Sequence, residues 1–390
     1  RRLVLLAAAA LVALAGCSKK SGTQKPKGLG QALASMPARA LALAPDGGSV
    51  AFVADVKPPP EKSAPAGVFQ GILTTVPMAG GTPRQLGGGV TTLEDGFRFS
   101  PDGRFIAYLQ GFRFADQSGT LQIAPNPTGD ARQLAEGAKF YRFSPDSKLL
   151  GYVAAGQLHL VELATFADRL VAHDVATFEF APDASAMLIR RPVASGSDLL
   201  LAGTAAGAKP TKLGDGVGEY QFSPDGKVVA FTARQGSMEA PYALFLRDTA
   251  GGELRKLGEG VSNFYFSPDS RFIAFIDGVK VTRTFGDLQL ASTTGGAARK
   301  LGENVVEVRW SPVSNAVGFR ENHEDSAGRK RVVFKYATTT GEGSAKVVAD
   351  GVASFVFSGD GRHLAYLQRV TKPMYSIDLH VQEVGADEGR

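Results

Sequence analysis

Apolar positions along the chain come in short runs, many alternating with polar ones, and one run keeps returning. Its clearest form is Phe97-Arg98-Phe99-Ser100-Pro101-Asp102-Gly103-Arg104-Phe105-Ile106-Ala107-Tyr108. Good copies begin at Tyr141, Tyr220 and Phe264, and weaker ones span Leu41–Val53, Phe178–Arg190, Val308–Arg320 and Phe355–Leu367. The turn prolines fall at 45, 101, 145, 182, 224, 268 and 312, and Gly359 stands in the eighth place. Strand-type content returning about every 44 residues is the sequence mark of a β-propeller, whose repeats bury their faces against one another.

Each repeat divides into four strands. Strand a is the aromatic-x-aromatic triplet. In the Ser-Pro-Asp-Gly turn that follows, proline presets φ, aspartate bonds its own backbone and glycine accepts positive φ. Strand b is the next apolar run, such as Phe105–Leu109. Strand c lies beyond a variable loop, as in Leu121-Gln122-Ile123, Leu158-His159-Leu160 and Leu244-Phe245-Leu246. Strand d carries a basic-Leu signature, as in Arg84-Gln85-Leu86, Arg132-Gln133-Leu134, Arg255-Lys256-Leu257 and Arg299-Lys300-Leu301. The copies at 45, 182 and 312 are degraded. Asp183-Ala184 and Val313-Ser314 are expected to lose the turn chemistry.

The last repeat has a strand c at Tyr375–Val381 and no basic-Leu strand after it. Gln31-Ala32-Leu33-Ala34-Ser35 precedes the first triplet much as Arg132–Glu136 precedes Tyr141. The expected fold is therefore all-β: a single eight-bladed β-propeller of four-stranded blades over residues 31–388. An N-terminal strand at 31–35 closes the last blade, which removes free sheet edges.

Composition and charge alter the picture only at the N-terminus. Arg1-Arg2 leads a run of about 14 apolar residues, shorter than the roughly 20 that span a bilayer, so residues 1–16 read as an export signal. Leu14-Ala15-Gly16-Cys17 resembles a bacterial lipobox, and Cys17 is the chain's single cysteine. The resemblance implies acylation of Cys17, and Ser18 after it implies an outer-membrane anchor facing the periplasm; several lipid chains together give stable attachment. Residues 18–28 have nothing apolar to bury, which makes 17–30 a flexible tether. The net charge is +5, from 43 basic and 38 acidic residues. Setting aside Arg1, Arg2 and the tether's four lysines leaves 37 basic against 38 acidic. No basic footprint for nucleic acid remains.

The F-S-P-D-G-x-x-[I/L/V]-A-[F/Y] pattern resembles the TolB-type, WD-like propeller repeat, also found in the propellers of dipeptidyl- and prolyl-peptidases. The resemblance covers residues 31–388 and implies that the b–c and d–a loops share the binding face. Length varies most in two b–c loops, Lys57–Gly67 and Arg320–Arg331. Basic side chains gather there, and Arg113, Arg190, Arg191, Arg234, Arg283, Arg320, His323, Arg329 and Arg369 are the candidate partner-binding residues. Acids recur in the d–a loops at Glu136, Asp215, Glu259, Glu303 and Asp350. Two rings of opposite sign would steer a charged partner; local pairing of the same charges has little net effect.

The middle residues of strand a, Arg98, Arg142, Glu179, Gln221 and Arg309, are candidates for lining a central channel. The aromatic triplets and Trp310 are expected as core between blades. The five histidines form no pair at metal spacing, and no G-x-S-x-G, H-E-x-x-H or P-loop occurs. The expected function is a non-catalytic interaction platform for envelope proteins. It is monomeric, without cofactor or metal, and does not bind nucleic acid. The alternative is a channel-based small-ligand receptor or a propeller hydrolase or lyase.

Overall fold

The computed structural model describes residues 38–194, 196–234, 240–279, 285–324, 328, 330–340, 345–370 and 376–384. Every regular element among them is a strand, arranged in antiparallel sheets that follow the chain in propeller fashion. The first sheet holds β1 (Ala38–Leu43), β2 (Ser49–Lys57), β3 (Gln70–Pro77) and β4 (Arg84–Thr91). The second has seven strands: β5 (Phe97–Phe99), β6 (Phe105–Arg113), β7 (Ser118–Pro125), β8 (Arg132–Phe143), β9 (Leu149–Ala154), β10 (Gln157–Glu162) and β11 (Asp168–Ala172). Two four-stranded sheets follow. One is β12 (Thr177–Phe180), β13 (Ala186–Val193), β14 (Gly196–Gly203) and β15 (Thr211–Gly214). The other is β16 (Val217–Phe222), β17 (Val228–Arg234), β18 (Tyr242–Asp248) and β19 (Arg255–Glu259). A second seven-stranded sheet contains β20 (Asn263–Phe266), β21 (Phe272–Asp277), β22 (Gly286–Ser292), β23 (Arg299–Trp310), β24 (Ala316–Glu324), β25 (Lys330–Thr338) and β26 (Lys346–Asp350). The last has three strands, β27 (Val352–Phe357), β28 (His363–Val370) and β29 (Ser376–Glu383).

Among the described residues the strands expected from the repeat are found, the strand at 31–35 lying outside them, but the sheets differ in number from eight separate units. The cause lies in β8 and β23. Arg132–Ala138 of β8 pairs with β7, and Ala138–Phe143 pairs with β9. One continuous strand thus serves as strand d of one set and strand a of the next. Strand β23 does the same between β22 and β24.

Within the array both faces of a strand set are covered, so strand b reads as a near-continuous apolar run; β17, Val228–Arg234, is buried at six consecutive positions. All but one of the core clusters draw on two consecutive sets; Val50, Phe52, Ala54 and Val76 cluster within the first. Ala107, Leu109, Leu121 and Ile123 pack on Tyr141, Leu150 and Tyr152. Leu188 and Leu199 likewise pack on Phe222, Val229 and Phe231. Trp310 packs on the cluster around Phe319 and Val317, and its indole N–H donates to Tyr265 O at 3.1 Å.

The turn pattern is stronger than the sequence suggests. In all eight copies the first turn residue accepts from the fourth, as in Gly103 N–H to Ser100 O at 2.9 Å, Ala184 to Ala181 at 2.9 Å and Ser314 to Ser311 at 3.0 Å. The copies at 45, 182 and 312 therefore keep the turn. Ala184 and Ser314 take φ of 60° and 61°, where Gly103 and Gly226 stand in two of the better copies and Ser147 and Ser270 in the other two. Neighbouring contacts hold them in a conformation that costs an L-residue about 1–2 kcal/mol.

Candidate functional site

The two ends of the strand sets are built differently. At the a–b turn, the Ser100 hydroxyl donates to Asp102 Oδ1 (2.6 Å) and accepts from the Phe105 N–H (3.0 Å). Ser144, Ser223 and Ser267 repeat this arrangement. Successive turns are latched together. The Asp102 N–H donates to Ser147 Oγ at 3.0 Å, Asp225 to Ser270 at 2.9 Å and Asp269 to Ser314 at 2.9 Å. At Gly103, which stands where Ser147 and Ser270 form latches, a Cβ would lie 2.6 Å from Asp46 Cγ of the preceding turn.

The c–d turns join the same end. Thr293 and Thr339 hydroxyls donate to Ser270 O (2.8 Å) and Ser314 O (3.0 Å). The arginine of the basic-Leu signature reaches the next set. Arg169 donates to Thr204 O, Arg255 to Thr293 O, and Arg299 to Thr338 O at 2.9 Å. The signature is thus an interblade staple, a role the sequence alone does not suggest. Much of the polar capacity of this end goes into holding neighbours together.

Those turns carry an acid dependence. Burial pushes the carboxyls of Asp102, Asp146, Asp225 and Asp269 up, but hydrogen bonds from the turn serines and backbone, with the following Arg or Lys, outweigh it and hold each below its ordinary value. A depressed native pKa stabilises the fold above the unfolded value, about 3.9, and that contribution is lost as pH falls through the native value. The unfolding midpoint is therefore expected to be insensitive to these groups above about pH 5 and to fall below about pH 4. Asp102→Asn with Asp225→Asn should flatten the fall in acid thermal-denaturation scans. An unchanged slope would contradict the assignment.

At the opposite end, the long segment after β2 packs on its neighbour. Glu61 Oε2 accepts from the Ala115 N–H at 2.9 Å, and Gln70 Nε2 donates to Phe112 O at 2.5 Å. Beside it lies an open cavity of about 630 Å³ lined by Asp55, Val56, Lys57, Pro60, Gln70 and Ile72, among others. The other long insertion is a ladder rather than a loop. β24 and β25 extend together, with His323 opposite Arg331 and Glu324 opposite Lys330.

The candidate partner residues sit mostly at strand ends and have partners within the protein. Arg113 pairs with Asp116 at 2.9 Å. Arg190 donates to Ser197 Oγ at 3.0 Å, and Arg191 pairs with Asp198 at 3.0 Å. The Arg234 guanidinium lies 4.6 Å from the Tyr242 ring centre. Arg320 donates to Glu307 at 2.5 Å and to Val352 O and Ala353 O, stapling β24 to the start of β27. Arg369 is exposed near the end of β28. Cys17, Arg283, Arg329 and the segment 31–35 lie outside the described residues. The d–a acids do not form a separate ring: Asp215, Glu259 and Glu303 pair with Lys212, Lys256 and Lys300 three residues earlier. Local pairing prevails over two opposed rings.

Among the channel candidates, Arg98 and Arg142 come together on Asp95, at 2.7 Å and 3.0 Å. Burial raises the Asp95 carboxyl, yet the Arg98 hydrogen bond and the charges of Arg142 and Arg98 hold it below its ordinary value. Arg309 meets Glu307 at 2.7 Å, and Glu307 also takes Arg320. Glu179 is half-buried and Gln221 exposed.

Sequence reasoning missed Glu321, which is 1 % exposed on β24. Its carboxylate lies 2.6 Å from Lys335 Nζ and 2.7 Å from His323 Nε2, and accepts from the Glu303 N–H at 3.0 Å. It stands in the polar run Arg320-Glu321-Asn322-His323-Glu324, so nothing in the sequence sets it apart from a solvated loop acid.

No protein-family model matches the chain, and no curated protein matches it by sequence. Among solved structures it is similar to a eukaryotic initiation factor, at 12% identity over 90% of this chain and 86% of that one, with a TM-score of 0.51. That likeness concerns the fold alone. A candidate TolB from Agrobacterium tumefaciens matches at 18% identity over 66% of this chain and 95% of its own, TM-score 0.31. An oligogalacturonate lyase in complex with manganese matches at 13% identity over 78% and 90%, TM-score 0.38. The last two overlap too loosely to bear on function.

Proposed function

We propose that residues 31–388 form one ring of eight four-stranded blades, with each seven-stranded sheet counted as two blades sharing a strand. We further propose that this ring is a non-catalytic docking platform of the bacterial cell envelope. In this reading the signal 1–16 directs export, and acylated Cys17 anchors the protein to the outer membrane on its periplasmic side. The tether 17–30 gives it reach, and a monomer presents its b–c/d–a face to an envelope protein. The observation that carries the reading is the division between the two ends. One end repeats a serine latch from turn to turn, while the other carries the long segment after β2, the extended β24–β25 ladder and the open cavity. Scaffolds commonly place recognition on such variable segments. A channel-based receptor or lyase has less support, because Arg98 and Arg142 already engage Asp95, with Glu94 3.8 Å from Arg98.

The test has two readouts. Cys17→Ser should move the protein from membrane to soluble fractions, and retention on membranes with the signal cleaved would sink the anchoring step. In pull-downs from envelope extracts, replacing 58–66 with a Gly/Ser linker should cut partner recovery at least about fivefold, as loss of a central contact region does. Equal recovery from both baits would sink the loop-face reading.

A further inference from the structure

The first blade departs from the second just beyond its strand b. The register of β2 with β3 slips between Ala54 and Lys57, and Asp55 takes φ of 48° at the slip. The matching residue of the second blade is Gly111, at 60°, where the register of β6 with β7 slips in the same way. Glycine adopts such a φ freely and aspartate does not. Backbone strain of this kind gathers where ligands are held.

After Lys57 the chain leaves the sheet along Pro58-Pro59-Pro60. Each ring fixes φ at about −65°, so the run keeps an extended shape, and Pro58 and Pro60 are exposed. Both ends of the insertion are tied down. Glu61 accepts from the Ala115 N–H of the second blade at 2.9 Å, and at the return the Phe69 N–H donates to Thr92 Oγ1 at 3.1 Å. The cavity of about 630 Å³ that this run shares with β3 falls in the range of small-ligand sites.

Its walls join apolar surface, from Val56, Pro58, Pro60 and Ile72, to two charges, Asp55 and Lys57. Lys57 holds the place of Arg113 in the second blade, where Asp116 answers the charge at 2.9 Å. Among the described residues neither Lys57 nor Asp55 has an ion pair. Extended proline runs are recognised by aromatic side chains, which pack on the exposed rings. The cation beside the prolines fits a carboxylate, and Asp55 repels a second one.

We propose that this cavity takes an aromatic side chain of the docked envelope protein, packed against Pro58 and Pro60, with one carboxylate of the same segment on Lys57. The inference rests on the loop-face reading and names what that face binds: an extended segment in which an aromatic residue adjoins a single acid.

The probe is the tripeptide N-acetyl-Asp-Trp-Gly amide, titrated into the full chain with Cys17→Ser and followed by the methyl resonances of Val56 and Ile72. Both should shift saturably as the indole ring comes to lie beside them. Leucine in place of the probe's tryptophan should weaken binding about fivefold. Lys57→Gln, at an exposed position that leaves the fold intact, should weaken it about three- to fivefold, the worth of one such ion pair. No saturable shift, equal affinity for the leucine peptide, or indifference to Lys57→Gln would overturn the proposal. If the probe fails while the 58–66 bait still loses its partner, the loop-face reading stands and this inference alone falls. If the probe binds and that bait recovers its partner in full, the cavity keeps its ligand class and the loop-face reading alone falls.

Discussion

Tyr141→Ala is expected to lower the free energy of unfolding by about 3–5 kcal/mol, the range for emptying a large buried aromatic site. Tyr141 is 1 % exposed and fills the join between two blades, against Ala107, Leu109, Leu121 and Ile123. Its hydroxyl proton is shared between Ala107 O (3.1 Å) and Asp95 O (3.2 Å). Burial pushes the phenol far above its ordinary value, so it remains a donor at any working pH. Tyr141→Phe keeps the ring and removes only the hydrogen bond, at about 1 kcal/mol. Urea unfolding of the two variants separates packing from hydrogen bonding. Equal losses would contradict a join held by the aromatic ring.

The second large effect belongs to Lys335. Its ammonium compensates Glu321, a carboxylate withdrawn from solvent. Breaking a buried pair by removing one partner costs about 3–5 kcal/mol. Lys335→Ala should cost somewhat less, about 2–3 kcal/mol, because His323 and the Glu303 N–H still hold the carboxylate. Glu321→Gln combined with Lys335→Met removes both charges at similar volume and should restore most of the loss. A double variant no more stable than Lys335→Ala would mean that the uncompensated charge is not the cause.

The repeat made most of the architecture legible. Strand a, the turn and strand b stand in the chain as Phe97–Tyr108, and the structure has β5, the turn and β6 there. What the pattern hid were features that depend on the neighbouring blade. The serine in Ser144-Pro145-Asp146-Ser147 looks like a poor substitute for glycine, yet Ser147 Oγ holds the preceding turn. The arginine before Lys256-Leu257 looks like solvated charge, yet it bonds the next blade. Arg320–Arg331 reads as a loop because it is polar, although Val332 and Val333 pair across to Asn322 and Glu321 and extend the ladder. Of the candidate site, the charged positions were legible. Their ion-pair partners were not, since Asp95, Glu307 and Asp198 acquire meaning only when strands are set side by side.

The central claim is that one end of the ring holds the blades together and the other end meets a partner. The envelope pull-down tests it most directly when run with a third bait altered at the latched end, Arg104→Glu with Arg271→Glu, both exposed there. The account predicts that this bait recovers the partner as the wild type does, while the 58–66 replacement loses it. Loss of the partner from the turn-face bait, with full recovery by the loop-face bait, would contradict it.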